Sequence, residues 1–240
     1  MTSFEQWLNI TPAAIDQSAI KAAKQHQMQL TKPAGSLGQL ETIAIQLAGM
    51  QASSRPQAKQ VHVSVFAADH GIVEEGISAF PQAVTAEMVR NFASGGAAIS
   101  VLAKEVNAAL DVFNMGTITE LETLSGVTDN RIAAGTANFA QQAAMTVEQC
   151  QEAILFGRSH IELLKQDQID LFIAGEMGIG NTTSATAIAA ALLKLDAGDL
   201  SGPGTGLDVK GVNHKASVIE QALIKHSGQL KSPLTILHYL

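Results

Sequence analysis

Between Gly175 and Thr183 the chain reads GEMGIGNTT. Gly175 and Gly180 have the spacing of a nucleotide-triphosphate loop, G-x-x-x-x-G-K-[ST], and Thr182 stands at the hydroxyl position. Asn181 holds the place where that loop carries lysine. Glycines at 175, 178 and 180 let the backbone approach an anion and turn its N–H groups inward. Thr182 and Thr183 then open a helix whose N-terminus favours negative charge. Binding an anion this way needs no lysine, but a triphosphate would miss its point charge. The loop therefore reads as one for a single phosphate or a carboxylate, with a tight, threonine-capped turn as the plain alternative. Glu176, inside the loop, would repel an anion and should turn away from it. There it can orient a ribose hydroxyl, assist proton transfer or simply meet solvent.

Two other stretches carry candidate chemistry. In SGPGTGLDVKGVNHKASVI, Gly202, Gly204 and Gly206 make a flexible turn, and Asp208 and Lys215 are candidate polar contacts. Lys215 can supply the cation that position 181 lacks, as a point charge on phosphate; a solvated surface lysine is the alternative. In ADHGIVEEGISAFPQAVTAEMV, Asp69 and His70 end a strand and read as an acid/base pair or as metal ligands. Against metal, no other His or Cys follows at ligand spacing. His62, inside the strand, reads as a core or edge residue. Phe80 and Met88 either line a slot for a flat ring or pack in the core. A lysine-less ATPase would need a Walker-B acidic strand end, and neither Asp69 nor Asp111 has those surroundings.

These residues need strands and helices to position them. VHVSVFAADHG, AALDVFNMG and IDLFIAG are short apolar strands, each ending in a glycine turn. Helices are expected over 12–29, with Thr11 as N-cap, over 37–51, as a pair broken at Gly95–Gly96, over 146–165 and over 182–194. Thr146 and Gln149 have capping-box spacing. Strands alternating with helices predict an α/β fold: a Rossmann-like, mostly parallel sheet flanked by helices, with a smaller helical part that includes the N-terminus. Ligands in such sheets bind beyond the carboxyl ends of the strands.

The chain has 240 residues, 46% hydrophobic and 4% aromatic, and a formal net charge of −7. It contains no basic run, so no nucleic-acid partner is expected. The single cysteine, Cys150, cannot pair within the chain and reads as a half-buried helix residue. The N-terminus lacks signal-peptide character and no apolar run is long enough to span a membrane, so the cytoplasm is the expected location.

Taken together, LTKPAGSLGQLETIA, ADHGIVEEGISAFPQAVTAEMVRNFASGGAAISVLA, GEMGIGNTTSATAIAAAL and GPGTGLDVKGVNHK resemble, in order, the nicotinate-nucleotide:dimethylbenzimidazole phosphoribosyltransferase family. The resemblance implies a helical portion over 1–55 and a Rossmann-like domain over 56–240. It also implies a homodimer, with no metal and no cofactor. It implies transfer of phosphoribose from nicotinate mononucleotide to 5,6-dimethylbenzimidazole in cobalamin nucleotide-loop synthesis. Gly178, Gly180, Asn181, Thr182 and Thr183 would surround phosphate or ribose, with Lys215 nearby. Phe80 and Glu87 would border the benzimidazole slot, with Met177 against the ring. Phe80 and Glu87 stand where members often carry Tyr and Gln. The family's general base belongs to a segment beyond Leu240, which leaves Glu176 as an accessory candidate. A non-catalytic nucleotide-binding homologue is the alternative.

Overall fold

The structure, a computed structural model, describes residues 4–240, so Met1–Ser3 at the start of the expected helical portion lie outside it. The chain forms two compact units. One comprises residues 1–61 with 167–171, and the other comprises 62–166 with 172–240.

The first unit contains α1 (Phe4–Leu8), α2 (Gln17–Gln29) and α3 (Gln39–Met50). Helix α2 begins five residues later than the sequence pattern suggests. Asp16, not Thr11, is its cap: one carboxylate oxygen accepts from Ser18 N at 2.8 Å and Ala19 N at 2.9 Å. An aspartate accepting two helix-start N–H groups stabilises the start more than Pro12 does. Leu40 and Ile43, at helical spacing on α3, are more than half exposed.

The second unit is built on a four-stranded parallel sheet. Its strands are β1 (Val61–Ala68), β2 (Ala109–Gly116), β3 (Val127–Asp129) and β4 (Leu171–Met177), in the order β3-β2-β1-β4. Strand β3 went unread because three residues carry no period. Helices α4 (Ala83–Ser94) and α5 (Ala98–Glu105) meet at Gly95–Gly96 as expected. Helix α6 (Val147–Gln166) starts on the expected box: Gln149 N donates to Thr146 Oγ1 and Thr146 N to Gln149 Oε1.

Strand β1 is covered on both faces, with five of its eight residues buried. Val65 and Ala67 join Val89, Phe92 and Ala97 in a core under α4 and α5. On the other face Phe66 packs its ring with Phe113 of β2 and Phe156 of α6. Beyond β4 come α7 (Asn181–Leu193), α8 (Ala197–Leu200), α9 (Val209–His226) and α10 (Pro233–Tyr239). They enclose a second core of Ile72, Phe139, Ala187, Ile219, Ala222 and Ile236.

Residue 219 is fully buried in that core, whereas Ile224 on the same helix is 74% exposed. Ile219→Ala should cost about 2–5 kcal/mol through lost burial and a residual cavity. Ile224→Ala should stay within about 0.5 kcal/mol. Urea unfolding of the two variants beside the parent chain checks both values.

Candidate functional site

From β1 the chain crosses to β2 on one side, and after β3 it returns to place β4 on the other. The loops leaving β1 and β4 therefore diverge, and their carboxyl ends make a topological switch point, the usual crevice for ligands in open α/β sheets. Both glycine-rich and histidine-bearing turns lie there. The 175–183 loop is held close to β1 because Gly178 has no side chain: a Cβ would run into the carbonyl oxygen of Ala68 and the amide of Asn181. Gly180 caps α7 at φ +101°, a left-handed conformation that disfavours any side chain.

Three side chains brace this loop. His70, at the end of β1, hydrogen-bonds through Nε2 to Asn181 Oδ1. Its Nδ1 lies 3.2 Å from Ser184 Oγ. Thr85 of α4 accepts Ile179 N at 3.1 Å. Burial pushes the His70 imidazolium below its ordinary pKa, so the ring is neutral near pH 7 and its Nε2–H donates to the asparagine. The acid/base or metal-ligand reading of Asp69 and His70 is therefore corrected. Both nitrogens of His70 are committed to the loop, and Asp69 Oδ2 accepts Ile118 N at 2.8 Å, while its buried Oδ1 has no hydrogen-bond partner among the described residues and its charge acts on His70 without a hydrogen bond.

Lys215 is the second element of the crevice. It lies on α9, which follows the glycine turn at 202–206, and is 1% exposed. Its Nζ donates to Thr182 Oγ1 at 2.8 Å and makes a longer contact, 3.4 Å, with the Gly202 carbonyl. Among the described residues no carboxylate is within ion-pair distance of it. Burial pushes its pKa below the ordinary lysine value. Thr183 Oγ1 and Ser201 Oγ are also buried without a protein partner. Asp208, the other polar candidate of this stretch, caps α9 by accepting Gly211 N at 2.8 Å, so its carboxylate serves the helix rather than the cleft.

Lys215, Thr182 and Gly204 line both a narrow notch of about 30 Å³ and an open recess of about 380 Å³. Gly178, Gly180 and Thr183 line the notch, together with Ile77, Ser78 and the 203–207 turn. An ammonium without a counter-ion among the described residues, the uncommitted Thr183 hydroxyl and a glycine-rich loop together suit a small anion.

The family model described as "Phosphoribosyltransferase" matches residues 13–240. The chain belongs to this phosphoribosyltransferase family. It is 54% identical over 233 residues to nicotinate-nucleotide–dimethylbenzimidazole phosphoribosyltransferase of Pseudomonas putida, covering 97% of this chain and 66% of the relative. The protein of that name from Pseudomonas aeruginosa is 52% identical over 235 residues, 98% and 67% covered. The crystal structure of CobT from Thermus thermophilus superposes with a TM-score of 0.83 at 40% identity, over 92% of this chain and 66% of that one. The chain thus spans about two thirds of the length of these members of the family.

The remaining residues singled out by the family resemblance lie apart from the notch. Met177, half-buried at the end of β4, packs like Met88 against the edge of the core beneath α4. Its neighbour Glu176 is exposed, as strand alternation requires, and local desolvation raises its pKa. Phe80, about half exposed, follows the notch residue Ser78, whose hydroxyl accepts Phe80 N. Glu87 is exposed on α4 and bonds Arg90 at 2.7 Å, which in turn forks onto Glu122. The braces His70, Thr85 and Ser184 escaped sequence reasoning as loop supports. Their partners lie 94 to 114 residues away in the chain, and no local spacing marks them.

Lys215→Met keeps the volume and removes the buried charge, so without an anion it should fold at least as stably as the parent. The lowered pKa also sets a sign. Between that value and the ordinary 10.5, the unfolded chain binds more protons than the folded one. Parental stability relative to Lys215→Met should therefore rise with pH across that window. Denaturant unfolding from neutral to alkaline pH measures both.

Proposed function

We propose that the chain binds nicotinate mononucleotide and transfers its phosphoribose to 5,6-dimethylbenzimidazole, giving α-ribazole 5'-phosphate and nicotinate. The observation that carries this reading is the buried Lys215 ammonium beside Thr182, with no carboxylate among the described residues to neutralise it. A monophosphate matches that single charge. Gly178, Gly180, Asn181, Thr182 and Thr183 supply backbone and side-chain donors around phosphate and ribose. The open recess beside the notch, lined by the same Lys215, Thr182 and Gly204, gives the phosphate room.

The chemistry asks little of the protein at the leaving group. Nicotinate departs as a neutral pyridine nitrogen from a pyridinium, so no general acid is required. The anomeric carbon gains oxocarbenium character, as in glycoside cleavage. Attack from the opposite face converts a β-linked nucleotide into an α-linked one. The incoming benzimidazole loses its N–H proton, which calls for one general base. Phe80, Glu87 and Met177 border the base slot in this reading. Glu176, with its raised pKa, is the accessory proton acceptor. The names of the relatives favour a catalytic protein over a non-catalytic nucleotide-binding homologue. Among the described residues no helix is long and apolar enough to cross a membrane. A cytoplasmic homodimer completes the proposal.

Calorimetry tests the reading. Nicotinate mononucleotide should bind the folded chain. Lys215→Ala should weaken it by about tenfold to a hundredfold, the loss of a charged hydrogen bond. Dimethylbenzimidazole binding should change less than about twofold. No nucleotide binding by folded protein, or equal losses for both ligands, refutes the assignment. Turnover of the two substrates together, followed by nicotinate release, tests the transfer itself.

A further inference from the structure

At the other end of the strands, away from the switch point, three ligating side chains converge. His62 is the second residue of β1, Asp111 the third of β2, and His160 lies in the last third of α6. His62 Nε2 is 2.9 Å from Asp111 Oδ2. One ligand atom from each of the three residues lies within 4.8 Å of the others. Both imidazoles are buried, and the Asp111 side chain is 46% exposed.

The surroundings orient the rings. His62 and Ser64 share one face of β1, and Ser64 Oγ holds His160 Nε2 at 2.7 Å. Phe113 and Phe172 flank the His160 ring at centroid distances of 4.7 and 6.3 Å. Simple packing of α6 on the sheet needs apolar groups at these positions, as Phe66, Phe113 and Phe156 provide one turn further along. Two buried imidazoles turned toward one carboxylate form instead an N, N, O donor set.

We propose that His62, Asp111 and His160 form a three-ligand site for a divalent transition-metal ion, with Zn²⁺ the expected occupant, tying α6 to the amino-terminal ends of β1 and β2. Imidazole and carboxylate suit Zn²⁺, whereas Mg²⁺ and Ca²⁺ take all-oxygen sets. Bonds of about 2.0–2.1 Å in a tetrahedral arrangement put ligand atoms about 3.3 Å apart, so side-chain rotation of about 1–2 Å closes the present spacing. The half-exposed carboxylate marks the entry path and leaves the fourth position to water. The aromatic wall supplies the apolar shell that excludes further solvent. The site lies outside the nucleotide crevice and acts on stability.

Metal-stripped full chain, titrated with Zn²⁺ by calorimetry and with Co²⁺ by visible absorption, tests this. One equivalent should bind, Co²⁺ should show the intense bands of four-coordination, and Zn²⁺ should raise the Tm. Asp111→Asn retains a hydrogen-bond acceptor for His62, and with His160→Gln it should lower Zn²⁺ affinity by about tenfold or more. Nicotinate mononucleotide binding should be unchanged in both. Substoichiometric uptake by the parent, or equal affinity in the variants, overturns the site and assigns uptake to scattered surface histidines. Should the variants not fold, X-ray absorption of the Zn²⁺-loaded parent decides: a shell with two imidazoles supports the site, and fewer than two overturns it.

Discussion

A buried ammonium with no carboxylate partner among the described residues governs the construction of the crevice. Taking such a charge out of water costs of the order of several kcal/mol unless neighbouring dipoles offset it. Here one hydroxyl and one distant carbonyl do so only in part. The rest of the neighbourhood is arranged to hold Lys215 there all the same. Asp208 fixes the start of α9, Ile219 and Ala222 anchor the same helix in the core, and α7 brings Thr182 against the amine. Under the proposed function, the stability given up at this point is recovered when the nucleotide phosphate enters the crevice.

The glycine loop meets the same demand from the strand side. Its approach to β1 depends on the bare backbone of Gly178, and its shape depends on bonds from His70 and Thr85. A neutral imidazole suits that position: a protonated ring would leave Nδ1 unable to accept from Ser184. Sheet order places these groups together, because β4 returns to the flank of β1 that β2 leaves free.

The sequence made the main strands, most of the helices and the glycine-rich turn before α7 legible because each has a local signature. Alternation, a 3.6-residue period and glycines after a strand all act over fewer than about twenty residues. Misreadings came where local signals competed or were absent. Pro12 drew the start of α2 forward, and the glycines at 202–206 hid the beginning of α9. Lys215 was legible only as a cation in need of a partner; its burial follows from how α9 packs. The imidazole pairing to Asn181 rests on residues 111 apart, and only the folded chain brings them together.

Strand β1 carries a polar residue at each end, His62 at its start and His70 just past its finish. Eight residues of extended chain put about 26 Å between them. That exceeds the roughly 7–10 Å within which substitutions interact energetically. The two ends of the sheet are thus free to drift independently in sequence. Changes that tune how α6 is fastened need not disturb the crevice, and the crevice can adapt to a new ligand without loosening the far end.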